Sequence, residues 1–145
     1  MEYAELLTEN RRLKQEFARS DGSIAVLSNI TIDPLREFLE YGLATSGVAV
    51  EVEIGTFDNI VQDSSRCGAH RVVIVFWELA TILDGLLDKG KVLDDAAEQE
   101  LVDQMKAQIA LVLANLASTS LVLFNRFSAL PFPREWVRAG RLDRV

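Results

Sequence analysis

Two runs of consecutive apolar residues set the strongest limit on how this chain can fold. Residues 24–27 (IAVL) and 71–77 (RVVIVFW) place apolar side chains on both alternating faces of an extended segment. Strands of this kind have to be covered on both sides, which is typical of parallel sheets whose crossovers are helices. Both runs are therefore predicted to be central strands of one sheet.

The remaining segments complete an alternating pattern of strands and helices. Residues 48–54 alternate valine and isoleucine with Glu51 and Glu53, which predicts an edge strand, and residues 121–124 (LVLF) predict a fourth strand. Helical segments are predicted at residues 2–19, 34–46, 57–61, 79–87 and 94–117. This order predicts a three-layer α/β/α domain with a mainly parallel sheet, strand order 2-1-3-4, as in flavodoxin-like folds.

The fourth strand has no obvious fifth strand to cover it. An apolar, unpaired edge favours association. The sequence therefore suggests either a fold truncated before a fifth strand or an edge that pairs with another copy or domain. We divide the chain into an N-terminal helix and turn (1–22), an α/β domain (23–130) and an irregular C-terminal tail (131–145).

Composition excludes several classes of function. The 15 basic and 22 acidic residues give a net charge of −7, which argues against nucleic acid and anionic membranes as partners. No apolar signal segment is visible at the N-terminus. Residues 107–124 carry no charge, but Gln108, Asn115 and the 118–120 serine-threonine run interrupt them. We therefore predict a buried helix end, a turn and a buried strand rather than a membrane span. A cytoplasmic domain is expected.

In a parallel sheet, ligands bind where the carboxyl ends of the strands meet. The loops that follow the predicted strands there define a candidate ligand-binding cleft. Its residues are Ser28, Asn29, Thr31, Gly55, Trp77, Glu78 and Asn125. The first loop leads into a helix N-terminus, which favours an anion or an oxyanion.

The segments IAVLSNITIDPL, VEVEIGTFDNIVQD and RVVIVFW, with a helix between the first two, resemble the N-terminal domain of FkbH-like proteins. The resemblance covers about residues 20–126 and implies a fold like that of SGNH hydrolases. FkbH-like proteins usually carry a following haloacid-dehalogenase (HAD)-type domain, which prepares a glyceryl unit on an acyl carrier protein for polyketide and related pathways. The Asp-x-Asp-x-Thr motif of that second domain does not occur in these 145 residues.

The same resemblance argues against hydrolase chemistry. The SGNH motif Gly-Asp-Ser-x-Thr aligns with residues 27–31, which places Asn29 at the nucleophilic serine. Gly55 corresponds to the oxyanion glycine, whereas the Gly-x-Asn-Asp block and the final Asp-x-x-His have no match. An amide cannot be activated by a base as a hydroxyl can. The esterase activity of the family is therefore not carried over to this chain.

Each polar candidate has a structural alternative. Ser28 is either a nucleophile displaced by one position or a turn hydroxyl, and Asn29 either donates to an oxyanion or suits the turn. Glu78 is either an acid–base group or a solvated carboxylate. His70, the single histidine, and Cys67, the single cysteine, precede the third strand and should lie at the opposite edge of the sheet.

No cofactor is expected, and no metal site either. Asp58, Asp63 and Glu53 lack the spacing of a metal cluster. The arginines of the C-terminal tail either contact an acidic partner, such as a carrier protein, or form a frayed end. They are Arg134, Arg138, Arg141 and Arg144.

Three hypotheses for function follow. The first is a non-catalytic module of an FkbH-like protein that positions a carrier protein or the phosphorylated substrate of a neighbouring HAD-type domain. The second is a divergent hydrolase that uses Ser28, or a water activated by Glu78. The third is a self-associating structural unit, joined as a homodimer through the fourth strand and the N-terminal helix.

Overall fold

The computed structural model describes residues 2–17, 19–78 and 95–126. The elements are α1 (Tyr3–Glu16), β1 (Gly22–Ser28), α2 (Leu35–Thr45), β2 (Val50–Ile54), α3 (Ile60–Cys67), β3 (Val72–Phe76), α4 (Asp95–Asn115) and β4 (Leu121–Phe124). The four strands form one sheet of order β2-β1-β3-β4, and all three pairings are parallel. The predicted α/β class and strand order are thus confirmed.

The register brings the carboxyl ends of the strands to one edge of the sheet. Val26 pairs with Ile54, Ser28 pairs with Phe76, and Val75 pairs with Phe124. The loops that follow the strands therefore leave the sheet side by side, and the candidate site lies at this carboxyl edge.

One face of the sheet is covered by α3 and α4, and we call it the tight face. Its cluster joins strand residues to helix residues such as Ile60, Met105 and Val112, and all its central members are at most 4% exposed. The amide of Asn115 also ties α4 to α3 by donating to the Ser64 hydroxyl at 2.9 Å. The cluster members are Ala25, Leu27, Ile60, Cys67, Val73, Val75, Trp77, Met105, Val112 and Leu116.

The other face is covered only in part, by α2, and we call it the open face. Leu35, Leu39 and Leu43 of α2 pack against a cluster centred on β1 and β2. Among the described residues, that cluster contains no residue of β4, and the β4 side chains on this face, Leu121 and Leu123, are 48% and 46% exposed. The open face is therefore apolar beyond the reach of α2.

Helix α1 packs on α2 rather than on the strands. The rings of Tyr3 and Phe38 lie 5.9 Å apart, centroid to centroid. The carboxylate of Glu40, which is buried, accepts from the Asn10 amide at 3.2 Å, pairs with the Lys14 ammonium at 2.6 Å and accepts from the Val52 backbone N–H at 3.4 Å. Glu40 therefore links both helices to the outer side of edge strand β2.

The sequence prediction for residues 57–61, a short helical turn, is replaced by the longer helix α3 (Ile60–Cys67). Two of its four buried residues, Asp63 and Ser64, are polar, and only Ile60, Val61 and Cys67 are apolar, so the apolar residues alone do not mark its full length. Gly47 follows the end of α2 with a φ of 81° and donates its N–H to the Ala44 carbonyl at 3.0 Å, which is typical of a glycine that ends a helix. The helix predicted at 79–87 lies outside the described residues.

The charge-free segment folds as predicted into a helix end, a turn and a strand, but the prediction that these are buried is wrong. Near the end of α4, Leu111 and Leu113 are about half exposed, and so are Leu121 and Leu123 of β4. Each element buries only the side that faces the tight-face cluster. Helix α4 ends at Asn115, and β4 begins at Leu121. In the described part of the chain, no helix combines the length and the hydropathy needed to span a membrane.

Candidate functional site

Ser28 ends β1 with its hydroxyl directed at its own loop. The Ser28 Oγ accepts from the Ile30 N–H at 3.0 Å and donates to the Ile30 carbonyl at 3.0 Å. The side chain is buried, and the histidine that a serine nucleophile would need is elsewhere, because His70 precedes β3 at the opposite edge of the sheet. The local geometry is that of a turn hydroxyl.

Asn29, at the position of the SGNH nucleophile, is paired with the backbone of residue 78. Its Nδ2 donates to the Glu78 carbonyl at 2.9 Å, and its Oδ1 accepts from the Glu78 N–H at 2.7 Å. The side chain is 1% exposed. Both the oxygen and the nitrogen of the amide are thus bonded within the protein. These two hydrogen bonds extend the pairing between β1 and β3 beyond the strand ends.

Asn125 makes the same arrangement from the other side of β3. Its Oδ1 accepts from the Trp77 N–H at 2.6 Å, and its Nδ2 donates to the Trp77 carbonyl at 3.1 Å. We call Asn29 and Asn125 the asparagine pair. Together the pair holds the backbone of Trp77 and Glu78 between the ends of β1 and β4.

The Trp77 ring belongs to the core and does not line the cavity at the carboxyl edge. It is 4% exposed and lies 6.1 Å from the Phe124 ring, tilted by 35°. Four of the predicted cleft residues are brought together by hydrogen bonds between asparagine side chains and the backbone. They are Asn29, Trp77, Glu78 and Asn125. Ser28, Thr31 and Gly55 gather separately, around a neighbouring cavity.

That cavity has a volume of about 110 Å³ and lies between the β1–α2 loop and the β2–α3 loop. Ile30 and Phe57 stand at it with 38% and 61% of their surface exposed. The remaining lining residues are Ser28, Thr31, Ile32, Asp33, Ile54 and Gly55. Cavities that enclose a whole small ligand are typically larger, about 300–1,000 Å³.

Gly55 is required where these loops meet, because a side chain has no room there. A Cβ atom at this position would lie 2.8 Å from a methyl carbon of Leu27 and 3.0 Å from a carboxylate oxygen of Asp63. The loop continues to Asp58, whose φ is 53° and whose N–H donates to the Ser28 carbonyl at 3.1 Å. Asp tolerates this left-handed conformation better than most residues. The β2–α3 loop is thereby fastened onto the end of β1.

Asp63, dismissed as a metal ligand by its spacing, is the anchor of this loop. Its carboxylate is 1% exposed and accepts from the Thr56 N–H at 2.6 Å, from the Asn59 amide at 3.1 Å and from the Arg66 guanidinium. Burial acts to raise the pKa of Asp63, but the Thr56 and Arg66 hydrogen bonds, the Arg66 charge and the Asn59 hydrogen bond together lower it. The carboxylate is therefore held ionised.

His70 and Cys67 lie away from the carboxyl edge, as predicted. The His70 Nε2 is 3.2 Å from a Glu53 carboxylate oxygen. Burial raises the pKa of the Cys67 thiol, and the negative charges of Glu53 and Asp63 raise it further. A buried thiol with a raised pKa is a poor nucleophile.

Within residues 2–17, 19–78 and 95–126, no group of three or more His, Cys, Asp or Glu side chains is placed to hold a metal ion. The carboxyl edge offers a small cavity and exposed apolar side chains.

The fold and the site place the chain among α/β domains with a parallel sheet and a cleft at its carboxyl edge. No family model and no curated protein matches the chain. A solved structure does match: the crystal structure of the N-terminal part of the protein BF1531 from Bacteroides fragilis, which contains a phosphatase domain and is complexed with Mg.

The likeness to that structure is one of fold. The TM-score is 0.67 at 10% sequence identity, and the match covers 99% of this chain. It covers 38% of the BF1531 chain, so this chain spans less than two fifths of the length of its structural neighbour. The architecture is thus similar to a part of a protein that contains a phosphatase domain.

Proposed function

We propose that this chain is the non-hydrolytic, SGNH-like N-terminal module of an FkbH-like protein. Its carboxyl edge would position a carrier protein, or a phosphorylated glyceryl substrate, for a HAD-type domain in polyketide or related biosynthesis. The observation that carries the proposal is the asparagine pair. The amide at the nucleophile position is consumed by the backbone of Glu78, which supports a binding role over hydrolysis.

The size of the site favours the carrier protein over a free small substrate. A cavity of about 110 Å³ cannot enclose a drug-sized ligand, but it can receive the tip of a larger partner. Phe57 and Ile30 add exposed apolar surface beside it. Exposed aromatic side chains around a shallow depression are typical of protein interfaces. The similar fold in a protein that contains a phosphatase domain supports the pairing with a HAD-type domain.

The test is a titration of the chain with an acyl carrier protein, followed by chemical-shift changes. We expect binding that Phe57→Asp weakens at least about tenfold, the loss of one hot-spot contact. The matched control is Val48→Asp, because Val48 is 39% exposed and lies before β2 at the other edge of the sheet. Binding that is absent at high micromolar concentration, or equally weakened by both variants, contradicts the proposal.

The competing hydrolase hypothesis makes a different prediction. If Ser28 or Glu78 acted on esters, Ser28→Ala or Glu78→Gln would abolish turnover. We expect no turnover above background in the wild type, since the Ser28 hydroxyl is bonded to Ile30. Turnover that disappears in either variant would establish a hydrolase instead.

A further inference from the structure

The cavity at the carboxyl edge has the size of one side chain. Its volume of about 110 Å³ is below the roughly 150 Å³ of a protein cavity that holds one benzene molecule. Four of its lining residues are apolar, namely Ile30, Ile32, Ile54 and Phe57. A group that enters this cavity therefore needs a slender apolar stem.

Three backbone N–H groups beside the cavity are already bonded within the chain. In the β1–α2 loop, the Ile30 N–H donates to the Ser28 hydroxyl oxygen at 3.0 Å. In the β2–α3 loop, the Gly55 N–H donates to a carbonyl of β1 at 2.8 Å, and the Thr56 N–H donates to the Asp63 carboxylate at 2.6 Å. These N–H groups are not available to a ligand.

The first turn of α2 also has its leading N–H groups bonded. The helix follows Pro34, which has no N–H. The Leu35 N–H donates to the Ile32 carbonyl at 2.8 Å, and the Arg36 N–H donates to the Asp33 carbonyl at 3.4 Å. The helix N-terminus, expected from the sequence to favour an anion, thus uses its first two N–H groups within the chain.

The charges at this cavity are negative. Asp33 lines it with an exposed side chain, and Asp58 is exposed next to the lining residue Phe57. In the described part of the chain, no hydrogen bond or ion pair engages the Asp33 carboxylate. None of the described residues that line the cavity is lysine or arginine. A phosphate or carboxylate ligand would therefore meet negative charge there.

We propose that the occupant of this cavity is a lysine or arginine side chain of a partner protein, an inference that rests on the binding role proposed above for this edge. Lysine and arginine bury an apolar stem and present a charged head that only donates hydrogen bonds. The stem suits the isoleucines, the head suits Asp33, and a cation close to the Phe57 ring is attracted by its π face. Between the two partners proposed above, this chemistry favours a protein over a phosphorylated small substrate.

The experiment titrates the full chain with three small probes and follows the shifts of backbone amides. The n-butylammonium ion reproduces a lysine side chain, n-butanol has the same stem without charge, and pentanoate has it with a negative charge. We expect butylammonium to shift the amides of Ile30, Thr31 and Phe57. Its dissociation constant should be about fivefold below that of pentanoate, with n-butanol between them, because one head is attracted and the other repelled.

These titrations need no variant, and two results overturn the proposal. One is pentanoate that binds as tightly as butylammonium. The other is the absence of butylammonium shifts at the three amides up to tens of millimolar probe.

Asp33→Asn tests the carboxylate itself, and Asp103→Asn is its matched control. Asp103 is exposed on α4 and does not line the cavity, so its substitution removes the same charge elsewhere. Asp33→Asn should weaken butylammonium binding about two- to fivefold, the range of one exposed ion pair, and leave n-butanol binding unchanged. Equal weakening by both variants would show attraction to the acidic chain as a whole and would overturn a site at Asp33.

The carrier-protein titration separates this inference from the proposed function. If the carrier protein does not bind while butylammonium still binds at the cavity, the proposed function fails and the basic side chain belongs to another protein. If the carrier protein binds and Asp33→Asn tightens its binding, the carrier presents negative charge at this edge. The proposed function then stands, and the basic occupant is overturned.

Discussion

The two faces of the sheet each carry a helix with a buried carboxylate, but they differ in how far apolar side chains cover them. On the tight face, Asp63 of α3 anchors the β2–α3 loop above a cluster of ten buried residues. On the open face, Glu40 of α2 anchors edge strand β2 above three buried residues and a rim of partly buried ones. The two buried carboxylates are alike, but the apolar cover of the two faces differs.

Polar anchors and apolar cover therefore have separate roles in the fold. A buried carboxylate fixes where its helix sits, because its partners have defined directions. The free energy of folding comes mainly from the apolar area removed from water. We therefore expect the tight face to dominate stability, and the open face to tolerate change.

The largest expected effect is a contrast between two leucines. Leu27→Ala on the tight face should lower the free energy of unfolding by about 2–5 kcal/mol, because it opens a cavity in a closed cluster. Leu123→Ala on the open face should cost about 1 kcal/mol or less, since that side chain is already half exposed. Urea denaturation measures both. Equal losses would contradict the distinction between the faces.

The next effect concerns the anchor of the tight face and depends on pH. The folded-state pKa of Asp63 lies below its unfolded value, so its stabilisation is complete above the unfolded pKa and is lost as the pH falls through the folded pKa. Asp63→Asn should cost about 1.5–3 kcal/mol at pH 7, as expected for hydrogen bonds to a charged group. The difference from the wild type should shrink from about pH 5 downward.

Asp58→Asn is the control for this measurement. Asp58 is exposed in the same loop, and Asn also adopts its positive φ readily. Its stability should follow the wild-type pH profile. A profile of Asp63→Asn that stays parallel to the wild type in acid would show that Asp63 is not the titrating anchor.

A smaller contrast separates the asparagine pair. Asn29→Ala leaves both backbone groups of Glu78 without these partners at a fully buried position, and should cost about 1–3 kcal/mol. Asn125→Ala should cost about 1 kcal/mol, because its strand β4 is open to water on one face. Hydrogen exchange at the Trp77 and Glu78 amides would show which tie is lost. If Asn125→Ala cost more than Asn29→Ala, β4 would be better covered than the exposure of Leu121 and Leu123 indicates.

The smallest expected effect is at the helix pair on the open face. Lys14→Ala removes the cation facing Glu40, but Glu40 keeps its bonds from Asn10 and Val52. The loss should be below about 1 kcal/mol, because the Lys14 side chain is half exposed. Hydrogen exchange should speed up in α1 and stay unchanged in β3. Faster hydrogen exchange throughout the sheet would mean that α1 stabilises the strands in addition to α2.

The sequence predicted the sheet well because a strand that is covered on both faces needs apolar residues at consecutive positions. Residues 24–27 and 71–77 became the central strands β1 and β3, and the alternating segment became the edge strand β2. Helix α3 was shortened in the prediction because its buried side includes Asp63 and Ser64. Apolar residues are too few in this segment to mark its full length.

The site was harder to predict because its bonds join distant parts of the chain. Whether the Asn29 amide faces a ligand or a peptide group depends on the backbone of Glu78, which is 49 residues away. The anchoring role of Asp63 depends in turn on the close approach of Gly55. Residue types at strand ends therefore located the site, and only the fold shows which side chains are already bonded.

The bonds of Asn29 also determine what a substitution at that position would change. A single change of Asn29 to serine would supply a hydroxyl, yet it would remove both ties to the Glu78 backbone and still lack a histidine at that edge of the sheet. The substitution Asn29→Ser would therefore loosen the join between the end of β1 and the chain that follows β3, whatever its effect on chemistry. A side chain that looks free to change at the end of a strand is thus a part of the sheet's own pairing.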